Sequence, residues 1–539
     1  MPMIQTPSRS TRHGLLAIAL ACIAPAAPLA QSGTPSAIRL PALGDIASED
    51  LSIGAERHLG DQIMAELRRD PDFLDDPLLL DYVQSLWQPL LAASRERGNL
   101  SADLDTAYAW EPFLVRDRAV NAFALPGGYI GVYLGMIALT GSRDELASVL
   151  AHEMSHVTQR HIARSIASQS HQSLVGLAAM ILGVLATSRA GNGDATQAVI
   201  VGSQAAMVQG QLNFSRDMER EADRIGWGVY STAGFAPVGF SAMFEKLDYS
   251  SRLNDNGSYP YLRSHPLTVE RIGEARSRFE AIAGSRGVAQ VPLDHLLMQA
   301  RARVLMDSSV GALQRQQAQD AATGGAGAPA ERAAALYASA IASLQLHEPA
   351  RALTAAEAAL AQARLAAPGD ARAAQALRLI LVQATLASGQ PARALAIIDS
   401  APASASPRPL LLARAQAALA SARGGDTAAL RSSTEALQTW VAERHGDVSV
   451  WSQLAQCAGA LGLRLRALRA EAEAHGAAGD ITGAIDRLRA AQRQAQSSGT
   501  PPDFIEASII DTRLRELNAV RRAQVAEARG ERGSRQEPQ

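Results

Sequence analysis

Cysteine is almost missing from this chain. Its 539 residues contain Cys22 and Cys457 only. Cys22 falls in a leader-like segment, which leaves one thiol in a mature chain. That excludes an intramolecular disulfide and a cysteine zinc site. A charge surplus is missing too. Lys plus Arg number 51 and Asp plus Glu 53, whereas a chain that neutralises phosphates normally carries a basic excess. Nucleic acid is therefore not expected as a partner. Aromatic residues make up 4% of the chain, while Ala is abundant, above all after residue 330. Ala loses no side-chain entropy on entering a helix, so this composition favours helices. Long apolar runs are scarce as well. Leu174 to Ala186 is apolar but well short of the ~20 residues that span a bilayer. Any membrane contact of the mature chain should be peripheral.

The length suggests three or four domains at ~150 residues each. Arg9, Arg12 and His13 precede an apolar stretch from Leu15 to Leu29, broken by Pro25 and Pro28. With Ala30-Gln31 as a cleavage point, residues 1–30 read as a signal peptide, which in a bacterium places the protein in the periplasm. A lipoprotein signal ending at Cys22 is the weaker rival. Ala19-Leu20-Ala21-Cys22 lacks the Leu usual three positions before the Cys. Residues 31–310 read as one domain, mostly helical, with a small sheet. Ile130, Val132 and Leu134 alternate with Tyr129, Gly131 and Tyr133, the period of a strand. Pro126-Gly127-Gly128 supplies a turn before it. Residues 311–330 read as a flexible linker with little to bury. Residues 331–529 form Ala-rich helices, with breaks near Pro349, Pro368, Gly389, Pro402 to Pro409, Gly424, Gly446, Gly462 and Gly479. Pro-Ala-Arg-Ala-Leu recurs at 349 and 391. Paired amphipathic helices of this kind suggest a tetratricopeptide-like array, with an ordinary helical bundle as the alternative. Residues 530–539 read as a disordered polar tail. The expected class is α+β and mostly helical.

The chemistry concentrates at His152-Glu153-Met154-Ser155-His156. Histidines four apart share one face of a helix, about 40° apart and one turn along it, so both reach one metal ion. Glu153 beside them can hold the water that a bound zinc activates. Ser142 and Glu145 have the spacing of a capping box, and Leu146, Val149, Leu150 and Val157 supply a buried stripe. A second helix over Ser215 to Thr232 would put Glu219 and Asp223 on one face. Glu219 can be the third zinc ligand. Asp223 can accept the outer N–H of a ligand histidine and fix its tautomer. Such a site holds one zinc and keeps a fourth position for water. His161 follows His156 by five, not the six of the extended zinc-peptidase pattern, and reads as a surface histidine near the helix end.

These motifs, together with Asn121-Ala122-Phe123-Ala124-Leu125-Pro126-Gly127-Gly128, resemble the Ste-type and HtpX-type zinc metallopeptidases. The resemblance implies a zincin-like domain, and the tetratricopeptide-like repeats after it are matched only by pattern. It implies zinc on His152, His156 and Glu219, with Glu153 as the base. It further implies that a strand at Asn121, Ala122, Phe123 and Ala124 pairs with substrate, and that Leu174 to Phe214 forms an apolar lid. His265-Pro266 matches a motif late in the domain. His265 is then either a gate that fills the fourth zinc position or an oxyanion donor, the latter role shared as a candidate with Tyr259 and Tyr261. The expected function is a periplasmic zinc endopeptidase acting on misassembled outer-membrane proteins, with the barrel assembly machinery as partner. The rivals are a chaperone or assembly factor that binds through its repeats and a structural scaffold, which would require the zinc to be closed by four protein ligands. An intact ligand set favours the first, because a pure binding protein has no use for Glu153.

Overall fold

The computed structural model describes residues 51–168, 215–253, 259–282, 291–322, 327–402, 407–497 and 503–534. The expected signal peptide, Cys22 and the lid at Leu174 to Phe214 lie outside the described residues. The first half holds α1 (Ile53–Leu67), β1 (Phe73–Leu74), α2 (Pro77–Glu96), α3 (Ala102–Ala107), β2 (Glu111–Val115), β3 (Ala122–Leu125) and β4 (Tyr129–Tyr133). Then come α4 (Leu134–Leu139), α5 (Arg143–Thr158), α6 (His161–Ser168), α7 (Arg216–Thr232), α8 (Pro237–Leu253), α9 (Pro260–Ser264), α10 (Val269–Ile282) and α11 (Leu293–Leu305). The fold is α+β and mostly helical, as expected.

The strands form one sheet of order β1-β2-β4-β3, in which β3 and β4 are antiparallel and β2 and β4 parallel. Gly127 and Gly128 turn β3 into β4 at φ +76° and +88°, where a side chain would be strained. The alternation read in β4 sorts side chains between two covered layers. Ile130 and Val132 enter the main core, while Tyr129 and Tyr133 pack with Leu59, Ile63 and Met64 of α1. Leu134, read as part of the strand, instead opens α4. At the start of α5, Ser142 Oγ accepts from Glu145 N at 3.2 Å. Glu145 does not complete the box. Its Oε2 accepts from Gly141 N at 2.6 Å and meets Lys246 Nζ.

The second half runs α12 (Val310–Ala322), α13 (Pro329–Gln345), α14 (Pro349–Ala366), α15 (Ala371–Ala387), α16 (Pro391–Asp399), α17 (Pro407–Ala422), α18 (Ala428–Glu443), α19 (Val448–Ala460), α20 (Arg464–Ala477), α21 (Ile481–Ser497) and α22 (Phe504–Ser534). The expected breaks fall between these helices. Pro349 and Pro391 each open a helix, a position that tolerates Pro because the first N–H has no intrahelical partner. Two expectations need correction. The linker is helical over Val310–Ala322, since Leu313 is buried and Gln317 Nε2 donates to Ser343 Oγ at 2.9 Å and Glu348 Oε2 at 2.6 Å. Asp320 adds a second link, accepting from Ser339 Oγ at 2.7 Å through its Oδ2. The tail is helical as far as Ser534, and residues 535–539 lie outside the description.

The halves share a core. Trp87 and Leu90 of α2, Leu297 and Met298 of α11, Tyr337 and Ile341 of α13, and Leu377 of α15 belong to one apolar cluster. Buried His295 of α11 adds a polar link. Its Nε2 donates to Thr140 O at 2.9 Å and its Nδ1 accepts from Tyr82 Oη at 2.6 Å. Burial pushes its pKa down to about 4, against the Thr140 hydrogen bond. In the unfolded chain the value returns to ~6.5. Between these pH values the unfolded chain binds a proton that the folded chain refuses. Stability is therefore full above the unfolded value and falls as the pH drops toward 4. Unfolding midpoints of the wild type and His295→Gln, compared at pH 7.5 and 4.5, should show the wild type losing about 2–3 kcal/mol more on acidification.

Candidate metal centre

Helix α5 carries His152 and His156 with their Nε2 atoms 3.0 Å apart. Helix α7, capped by Ser215 Oγ on Met218 N at 3.2 Å, brings Glu219 to them. Its two carboxylate oxygens lie 3.4 Å from His152 Nε2 and 3.4 Å from His156 Nε2. His265 follows α9 directly. Its Nδ1 is 3.0 Å from Glu219 Oε1 and 3.3 Å from His152 Nε2. One ligand atom from each of the four lies within 4.8 Å of all the others. All four side chains are buried. Three imidazole nitrogens and one carboxylate oxygen are a donor set that suits zinc.

Pro260–Ser264 makes a short helix, and His265 leaves it at φ −123°, ψ 78°, outside the helical region that Pro266 disfavours for the residue before it. Tyr261 N donates to Val120 O at 3.3 Å, tying this segment to the entry of β3. The Tyr261 ring is buried, with its centroid 4.7 Å from the His265 ring, and Tyr259 is half-buried.

Asp223 Oδ1 lies 3.0 Å from His152 Nδ1, the outer nitrogen of that ring. Arg271 of α10 donates to both Asp223 oxygens at 2.6 and 2.9 Å, and its Nη1 is 2.8 Å from Glu219 Oε2. No local pattern in α10 marks Arg271, because its partners lie on another helix. Burial works against charge on His152, but Asp223 and Glu219 outweigh it and lift the metal-free imidazole to about 10. Burial also opposes charge on Glu219, yet His265 and His152 hold it well below the usual carboxylate range.

Glu153 is fully buried beside the cluster, with His265 Nε2 3.5 Å from its Oε1. Neither of its oxygens accepts a hydrogen bond among the described residues. Burial raises its pKa, with His265 and His152 working the other way. A carboxyl group so placed can take a proton and give it up again. Strand β3 lies at one edge of the sheet, with Ala122 opposite Val132, Phe123 opposite Gly131 and Ala124 opposite Ile130. Asn121 sits just before it and accepts from Tyr133 N at 3.1 Å through its carbonyl.

His161 is not a surface residue. It is 0% exposed, with Nδ1 2.9 Å from His156 Nδ1 and Nε2 3.1 Å from Glu221 Oε2. Helix α5 stops at Thr158, and Arg160 adopts φ +51°, which turns the chain. Five residues along a continued helix would have carried His161 away from His156, and the left-handed turn brings it back.

Residues 90–279 match the family described as Peptidase family M48. Over these residues the chain is similar to that family. The matched span contains the four clustered residues, Glu153, His161 and Arg271. Among curated relatives, the putative beta-barrel assembly-enhancing protease of Vibrio cholerae is 35% identical over 268 residues, 48% of this chain and 51% of that protein. The beta-barrel assembly-enhancing protease of Escherichia coli is 35% identical over 250 residues, 45% of this chain and 47% of its own length. The mitochondrial metalloendopeptidase OMA1 of Saccharomyces cerevisiae is 27% identical over 195 residues, 35% of this chain and 53% of that protein. The chain spans about half the length of these relatives. No described helix is long and apolar enough to cross a membrane.

Proposed function

We propose that this chain is a zinc-dependent endopeptidase of the periplasm that degrades misassembled outer-membrane proteins. The observation that carries the reading is the buried cluster of His152, His156, Glu219 and His265, with Glu153 beside it, inside the peptidase span. The names of the bacterial relatives support the substrate class. His152, His156 and Glu219 would hold the metal, and Asp223 would fix the His152 tautomer. Zinc, when bound, polarises a scissile carbonyl and makes water more acidic. Glu153 takes the proton of the attacking water and returns it to the leaving amine. Among the described residues β3 is an edge strand, and around Asn121 to Ala124 it would offer backbone groups to an extended substrate.

His265 has two roles open to it, and its contact with the cluster supports the gate. A neutral imidazole in the fourth position leaves no room there for water, which gives a resting enzyme. The helices after residue 310, read as tetratricopeptide-like repeats, would dock the barrel assembly machinery along their surface. They equally support a chaperone or assembly role carried by binding.

Metal analysis of the purified chain tests the site. The expected result is about one zinc per chain, most of it lost in His152→Ala and Glu219→Ala. Full zinc in both variants would overturn the ligand assignment. His265→Ala should raise basal casein cleavage if His265 is a gate. A fall of ~10² or more would make it an oxyanion donor instead.

A further inference from the structure

Helix α7 carries four acidic residues at alternate positions, Asp217, Glu219, Glu221 and Asp223, of which the last three face the histidine helices. Glu219 belongs to the cluster and Asp223 to the outer nitrogen of His152. At ~100° per residue Glu221 points to another side of the helix. There it meets α6. Its Oε2 lies 3.1 Å from His161 Nε2 and 2.9 Å from Arg164 Nη1.

We propose that His161 and Glu221 form a positioning relay that orients His156 as a metal ligand. The proposal rests on the reading of His156 as a ligand. His156 turns Nε2 to the cluster, 3.4 Å from Glu219 Oε1, and Nδ1 outward, 2.9 Å from His161 Nδ1. An imidazole that binds metal through Nε2 carries its proton on Nδ1. That proton is donated to His161 Nδ1. The proton of His161 must then sit on Nε2, where Glu221 accepts it. Both hydrogen bonds thus have one allowed direction, and the relay ends on a carboxylate held by Arg164.

His152 and His156 are therefore supported from the same helix by different routes. His152 reaches Asp223 directly, and His156 reaches Glu221 through an intervening ring. The turn that makes this possible is itself held in place. Arg160, at φ +51°, is buried, and its Nε donates to Glu56 Oε2 at 3.0 Å. A left-handed conformation disfavoured for Arg persists here because the surrounding structure holds it.

Zinc affinity of the full mature chain, measured by competition with a chromophoric chelator, tests the relay. His161→Phe keeps a ring but removes the acceptor, and should weaken zinc binding about 10- to 100-fold. In His161→Asn an amide oxygen can stand near the place of Nδ1, and affinity should return to within a few-fold of wild type. Glu221→Gln, at a partly exposed side chain, should weaken binding about 3- to 10-fold, below the full effect of losing His161. Unfolding temperatures of the metal-free chains separate affinity from packing, because a packing defect lowers them without ordering zinc affinity as Asn above Phe. Zinc binding by His161→Phe and Glu221→Gln within twofold of wild type overturns the relay and leaves the peptidase reading intact. Equal affinity in the Asn and Phe variants overturns it also. If His161→Phe does not fold, Glu221→Gln decides. A wild-type chain that binds no zinc overturns the metallopeptidase reading and the relay with it.

Discussion

Glu153→Gln should keep its zinc and lose its peptidase activity. The substitution preserves size in a fully buried position and leaves the four clustered donors in place. An amide oxygen can still orient water, but it cannot take and return a proton. General acid–base catalysis of this kind contributes ~10²–10⁴ in rate, so kcat should fall by that factor while KM changes little. Stability should not fall. The variant replaces a buried carboxyl, whose charged form burial disfavours, with a neutral group. Casein digestion and zinc content, measured on one preparation, check both halves. Wild-type turnover in the variant would sink the mechanism.

Arg301→Ala should cost about 3–5 kcal/mol of stability, the usual penalty for stranding a buried charge. Arg301 of α11 donates to Asp76 Oδ1 at 2.8 Å and Oδ2 at 2.6 Å, and to Tyr337 Oη of α13 at 3.2 Å. Asp76 also caps α2 through Leu79 N at 3.0 Å. One guanidinium therefore joins three helices across the boundary between the halves. Burial works against the Asp76 charge and Arg301 outweighs it, holding the carboxylate below its ordinary range. Without Arg301 that carboxylate is buried with no cation. Chemical unfolding gives the measurement. The double variant Asp76→Asn, Arg301→Leu should lose less than the single variants summed, because no charge is then stranded. A loss under 1 kcal/mol in Arg301→Ala would show that water reaches Asp76.

The contacts that these two variants probe differ in how far along the chain they reach. Helical spacing alone put His152 with His156 and Glu219 with Asp223, because four residues make roughly one turn whatever packs outside. Pro and Gly marked the helix breaks of the second half for an equally local reason, through backbone dihedrals and the missing N–H. The turn at Gly127 and Gly128 was legible on the same ground.

Other features depended on distant partners. His161 reaches His156 only because Arg160 breaks the helix, and Arg160 is held by Glu56, which lies 104 positions earlier. Arg271 is indistinguishable from a solvated helix charge until α10 is laid against Asp223. Gln317 of α12 read as linker until Ser343 and Glu348 supplied its hydrogen bonds. The chain's own local chemistry thus determined a helical protein that pairs His152 with His156 and Glu219 with Asp223 on single helix faces. Packing decided which outer groups meet those side chains, where helix α5 ends, and that both halves share a core. Periodicity records one element's own geometry, whereas a buried polar group takes whichever partner the fold brings within ~3 Å.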